Sequence, residues 1–138
     1  MPLTLATWNL EWASSRSKRM PVIGQLVADA AADVVCFTEA NLDSLPKSAH
    51  VISSGADYGY GDKHPQRRKV VLTSNEPWND VVTEGPDGMP PGRFVTGVTH
   101  GVRVVGVCIP WADAHVSTGR KMPSAGASTC ATSINLRR

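Results

Sequence analysis

The stretch LTLATWNLEWA, Leu3 to Ala13, decides how this chain is read. Leu3, Leu5 and Thr7 alternate with Thr4, Ala6 and Trp8, the two-residue period of a β-strand. Asn9 then falls on the face that carried Leu3 and Leu5, and the strand ends near Leu10. A polar group headed for a core is costly unless something bonds it. At the end of a strand the same group can point into a cleft instead.

Working outward, "EWASSRSKRM" is polar, and Pro21 suits an early helix position. "PVIGQLVADAAAD" places Val22, Ile23, Leu26, Val27 and Ala30 at helical spacing. Asp33 opens "VVCFTEA", whose unbroken apolar run predicts a strand covered on both faces. Strand, helix and strand in that order predict a βαβ-type start to a layered domain. "VISS" and "VVLTS" are further strands, separated by the loop "GADYGYGDKHPQRRK". "NEPWNDVVTEGPDGMPPG" reads as two turn clusters. Phe94 to Thr99 and Val102 to Ile109 form a hairpin about His100-Gly101. Strands so spaced predict a β-sandwich with helices packed outside.

The size suits one domain: 138 residues, 41% of them hydrophobic, enough for a real core. A net charge of +2 gives no strong electrostatic case for nucleic acid or for a membrane surface. No apolar run is long enough for a spanning helix, and the N-terminus lacks the pattern of a signal peptide. A cytoplasmic location is therefore expected. The three cysteines are widely spaced without metal-type pairing, and Cys36 and Cys108 sit in apolar runs as small buried thiols.

Asn9 and Glu39 stand out as polar residues at the ends of strands that otherwise look buried. A buried carboxylate needs a charge partner or a metal. Mg²⁺ takes one or two carboxylates and completes its octahedron with water and phosphate oxygens. Glu39 suits such a ligand, and Asn9 suits a neutral residue that orients it or bonds a phosphate oxygen. The plainer alternative has Glu39 capping the next segment and Asn9 starting a turn. The basic cluster "HPQRRK", His64 to Lys69, reads as a solvated loop end before a strand, with steering of a phosphorylated substrate as the alternative. Trp12 and Trp111 lie just beyond strand ends, as core or rim residues or as walls of a cleft.

Four segments taken together, "TWNLEWA", "ADVVCFTEA", "VVLTSNEPW" and "VRVVGVCIPWADA", resemble the endonuclease/exonuclease/phosphatase family. These are the deoxyribonuclease-I-like, metal-dependent phosphoesterases. The order and gaps match the family's N-terminal half, over roughly Leu3 to Lys121, with Thr38 where the family usually has Gln. The resemblance implies an α+β fold, part of a four-layer α/β/β/α sandwich that is incomplete, over residues 1–121. It implies Glu39 as a metal ligand for Mg²⁺ (or Mn²⁺), with Asn9 beside it as active-site and metal-site residue. Cys108 falls near a position where many members place a Tyr or His on the scissile phosphate, a role in which a thiol is a weak donor. Asp113 and His115 lie just past that strand, within reach of the cleft or in a solvated loop.

The family's later motifs, Gly-Asp-x-Asn and Ser-Asp-His, do not follow Asp113. They supply the acid–base residues that phosphodiester hydrolysis needs besides a metal. Residues 122–138, a Ser/Ala/Thr/Gly mixture, are expected to be an atypical tail, frame-shifted near Lys121 or disordered. The expected function is a metal-dependent phosphoesterase or nuclease-like protein, truncated and weak or inactive, acting on a phosphorylated substrate such as nucleic acid. A non-catalytic remnant or interaction module, and an unrelated small α/β binding protein, are the alternatives. Self-association through an uncovered sheet face is also expected.

Overall fold

A computed structural model describes residues 2–59 and 64–110, and among them seven strands and one α-helix build three layers. β1 (Leu5–Asn9), α1 (Met20–Asp29) and β2 (Val34–Asn41) form the predicted strand–helix–strand unit, with β1 and β2 adjacent and parallel. β3 (His50–Ser53) and β4 (Arg67–Ser74) pair antiparallel, and β4 also pairs antiparallel with β2. The resulting sheet has the order β1-β2-β4-β3. β5 (Asn79–Val82), β6 (Phe94–Thr99) and β7 (Val102–Val107) form a second, antiparallel sheet in sequence order. Helix, sheet and sheet are three of the four layers of an α/β/β/α sandwich.

The run Val34–Phe37 feeds two cores, as its lack of polar alternation predicts. Val34 and Cys36 face the second sheet and pack with Val70, Leu72, Val95, Val104 and Cys108. Val35 and Phe37 face α1 and pack with Leu10, Ile23, Ala40 and Val71. Each fully buried Val, Leu or Phe here contributes roughly 1.5–3 kcal/mol by leaving water. Cys36 and Cys108 are both buried, as expected.

Three details differ from the sequence reading. On α1, Met20, Ile23 and Val27 turn to the sheet, whereas Val22 and Leu26 are 62% and 47% exposed. The helix carries two apolar stripes, and spacing alone does not say which one the sheet covers. β5 lies inside the segment read as turns. Asn79 and Asp80 have poor strand propensity, Asp80 has φ 48°, and the whole strand is exposed at the sheet edge. β4 begins at Arg67, so Arg67, Arg68 and Lys69 belong to a strand rather than to a loop end. The hairpin turn is as predicted: His100 and Gly101 both have positive φ, 52° and 70°, as a type I′ turn demands. Its second strand stops at Val107 rather than Ile109.

Trp111, Asp113, His115, the boundary at 121 and the tail 122–138 lie outside the described residues. No helix among the described residues is long and apolar enough to cross a membrane.

Candidate functional site

β1 and β2 run parallel, so their carboxyl ends lie at one edge of the sheet, with Asn9 in register with Thr38. In α/β sheets this is the edge where ligands collect. Glu39 follows Thr38 with φ 50°, left-handed backbone inside a strand. The β2–β4 register pairs Thr38 with Val70 and Ala40 with Arg68, and skips the Glu39–Lys69 pair between them. Such a conformation costs on the order of 1–3 kcal/mol in a non-glycine residue and persists only where its surroundings enforce it.

The enforcement comes from the chain leaving β1. Leu10 N–H donates to the Thr38 carbonyl at 2.9 Å, and Trp12 N–H donates to the Glu39 carbonyl at 2.7 Å. To make both bonds the chain takes positive φ at Glu11 (46°) and Trp12 (61°). Polar side chains then fix this loop. Asn41 Nδ2 donates to the Trp12 carbonyl at 2.6 Å, and Ser44 Oγ donates to the Ala13 carbonyl at 2.8 Å. Arg19 donates to the carbonyls of Leu10 and Glu11 and to the Glu11 carboxylate. Three strained residues thus meet at one strand end, clamped from β2 and from the start of α1.

Lys69, read from the sequence as part of a solvated loop end with phosphate steering as the alternative, is instead a strand residue at this site. Its Nζ donates to Glu39 Oε1 at 2.9 Å, with the lysine side chain 9% and the glutamate side chain 27% exposed. The ammonium lies 4.8 Å from the Trp12 ring centroid and 5.8 Å from that of Tyr58. Trp12 and Tyr58 stack at 5.5 Å, and the Arg67 guanidinium sits 5.1 Å from the Trp12 ring. Cation–π contacts of this kind contribute about 0.5–2 kcal/mol each, more when water is excluded. Arg67, Lys69 and Val71 share one face of β4 by alternation, and that period extends the strand back into the basic cluster. The cluster's Pro and run of charges concealed it.

Asn9 does start a turn: its Oδ1 accepts from Glu11 N–H at 2.9 Å. That bond uses one of the oxygen's two lone pairs, which leaves the other suited to a cation and the NH₂ suited to a phosphate oxygen. Cys108 lies in the core between the sheets, its N–H bonded to the Arg93 carbonyl at 2.9 Å and its Sγ 4.0 Å from Arg93 Nη1. Arg93 is itself buried, and among the described residues its Nε and Nη2 have no hydrogen-bond partner.

The donor set at this edge is one carboxylate and one carboxamide, hard oxygen ligands of the kind Mg²⁺ or Mn²⁺ accepts. It fits a cation that keeps most of its coordination for water and phosphate. It does not form an all-protein cage, since no cluster of three or more His, Cys, Asp or Glu occurs among the described residues.

No family model matches the sequence, and no curated protein matches it either. Solved structures do. The chain superposes on the 3′ phosphatase NExo from Neisseria, bound to a product DNA hairpin, with a TM-score of 0.57 and 24% identity. That match covers 80% of this chain and 43% of NExo. An AP endonuclease from Archaeoglobus fulgidus gives a TM-score of 0.58 at 24% identity, covering 80% of this chain and 42% of that one. Beta toxin from Staphylococcus aureus, as a β-hairpin deletion mutant, gives 0.53 at 18% identity, over 86% and 55%. The chain therefore spans less than half the length of the first two.

Proposed function

We propose that this chain, which has part of the deoxyribonuclease-I-like fold of these structures, carries the Glu39 end of a divalent-metal-dependent phosphoesterase site. The single observation that supports this most is Glu39 itself. It is a half-buried carboxylate at the carboxyl edge of the sheet, held at φ 50° by bonds from the neighbouring loop. Strain kept at a polar residue in a ligand-accepting position favours a functional role over a structural one.

Glu39, with Asn9 beside it, would hold Mg²⁺ or Mn²⁺. When bound, the metal supplies positive charge to a phosphoryl oxygen. Asn9 donates its NH₂ to a phosphate oxygen without adding charge. The loop from Leu10 to Ala13 walls the edge and, through its bonds to the Thr38 and Glu39 carbonyls, sets where the carboxylate stands. Cys108 and Asp113 are the further candidates carried over from the sequence, with the thiol the weaker donor. The substrate is a phosphate ester or phosphodiester. Nucleic acid is favoured because NExo is described with a DNA hairpin and the Archaeoglobus protein as an AP endonuclease. A cytoplasmic setting is part of the same proposal. Self-association through an uncovered sheet face would use apolar strand side chains left to solvent, such as Trp8, Val81 and Val82.

Hydrolysis of a generic phosphodiester and of a phosphomonoester, with Mg²⁺ or Mn²⁺ and with chelator, tests this reading. Turnover that needs the metal and falls at least about a hundredfold in Glu39→Ala is expected for a lost charge-stabilising group. Equal turnover in the two proteins would overturn the assignment of Glu39. Metal binding that depends on Glu39 without turnover would favour the non-catalytic module instead.

A further inference from the structure

A divalent cation on Glu39 would share the carboxylate with an ammonium, which sets two positive charges close together. Lys69 Nζ is 2.9 Å from Glu39 Oε1, and the lysine is not placed to retreat. An ordinary lysine at a strand end snorkels to water and moves away from an incoming cation. The Lys69 side chain is 9% exposed, and its ammonium is 4.8 Å and 5.8 Å from the centroids of the stacked Trp12 and Tyr58 rings. The backbone of Trp12 is fixed by bonds through its N–H and carbonyl, and its ring stacks on Tyr58, which is buried. A metal on Glu39 therefore arrives beside a captive positive charge, in surroundings where water screens poorly. An anion bridging metal and ammonium removes that repulsion, and a phosphate group has oxygens enough to do both.

We infer that Lys69 is a phosphate-binding residue of the Glu39 site, held on the carboxylate until a metal-bound phosphate takes it over. This rests on the reading of Glu39 as a metal ligand. Its consequence is coupling: metal and phosphate each bind better when the other is present.

The test is Mn²⁺ binding to the full chain, followed by the electron paramagnetic resonance of free Mn²⁺, with and without inorganic phosphate. Wild type, Glu39→Gln and Lys69→Gln are compared. Phosphate is expected to tighten Mn²⁺ binding to the wild type about tenfold, the size of one poorly screened charge contact. Lys69→Gln is expected to bind Mn²⁺ about tenfold more tightly than wild type without phosphate, and to lose the enhancement. A Lys69→Gln protein with wild-type affinity and an intact enhancement overturns the role of Lys69 while leaving the Glu39 site standing. Binding that ignores Glu39→Gln overturns the site itself. If Lys69→Gln does not fold, the wild type still decides. Its Lys69 ¹³Cε resonance should shift when Mg²⁺ and phosphate are added together, and no shift overturns the inference.

Discussion

Asp33 ties the amino ends of β1 and β2 together, at the edge of the sheet opposite Glu39. Its Oδ2 accepts from Thr4 N–H at 2.8 Å, and its Oδ1 accepts from Asn75 Nδ2 at 3.3 Å. The Thr4 bond first, then Asn75, with the charge of His100 adding a little, hold its carboxyl below the usual value of 3.8. A carboxyl with a depressed folded-state pKa stabilises the fold when ionised. That contribution is fully present above the unfolded value and is lost as the pH falls below 3.8 through the folded value. Urea midpoints of the wild type and Asp33→Asn, compared from neutral pH downward, should differ at neutrality and converge in that acid window. A gap that stays constant with pH would show that the carboxylate charge contributes nothing. The contrast with Glu39 is instructive. Both are carboxylates at strand ends, but Asp33 accepts bonds that close a structural edge. Glu39 is held in strained backbone against a captive lysine.

Between the two sheets the spacing is set by β7 as much as by the large side chains. A Cβ added at Gly106 would come within 2.7 Å of Val70 Cγ1 and 3.1 Å of Leu72 Cδ2. Gly106→Ala should therefore destabilise the protein by about 1–3 kcal/mol, the usual cost of overpacking, readable as a lower denaturant midpoint. A midpoint equal to wild type would mean that the sheets separate freely there. Elements of this kind also mark what the sequence could and could not reveal. β2 was legible because an apolar run without alternation has one economical reading. The hairpin was legible because His100-Gly101 offers two positive φ values in a row. β5 was not, because an exposed edge strand buries nothing and so leaves no periodic trace. Lys69 was hidden for the opposite reason: charge usually reports solvent, and here it reports a partner thirty residues away in the chain. Asn9 and Glu39 were visible as polar residues ending apolar strands. The clamp that strains Glu39 depends on tertiary bonds from Leu10 and Trp12, which no local pattern encodes.

At the scale of the molecule, β2 and β4 are the shared wall of both cores. Val34, Cys36, Val70 and Leu72 serve the space between the sheets, while Val35, Phe37 and Val71 serve the space under α1. Neither core can lose its wall without the other losing it too. The three layers should therefore unfold as one unit, with α1 gaining its stability from the same strands that hold β6 and β7. Leu72→Ala tests this at a distance. Leu72 is fully buried between the sheets, and α1 packs on the opposite face of the wall. Truncating a buried leucine costs about 2–5 kcal/mol. If the wall is shared, amide exchange at Ile23 in α1 should speed up by the same factor as at Val95 in β6. If α1 were an independent layer, Val95 would lose protection and Ile23 would keep it. Equal loss would also explain how strain at Glu39 is sustained, because the strand bearing it is anchored in both cores at once.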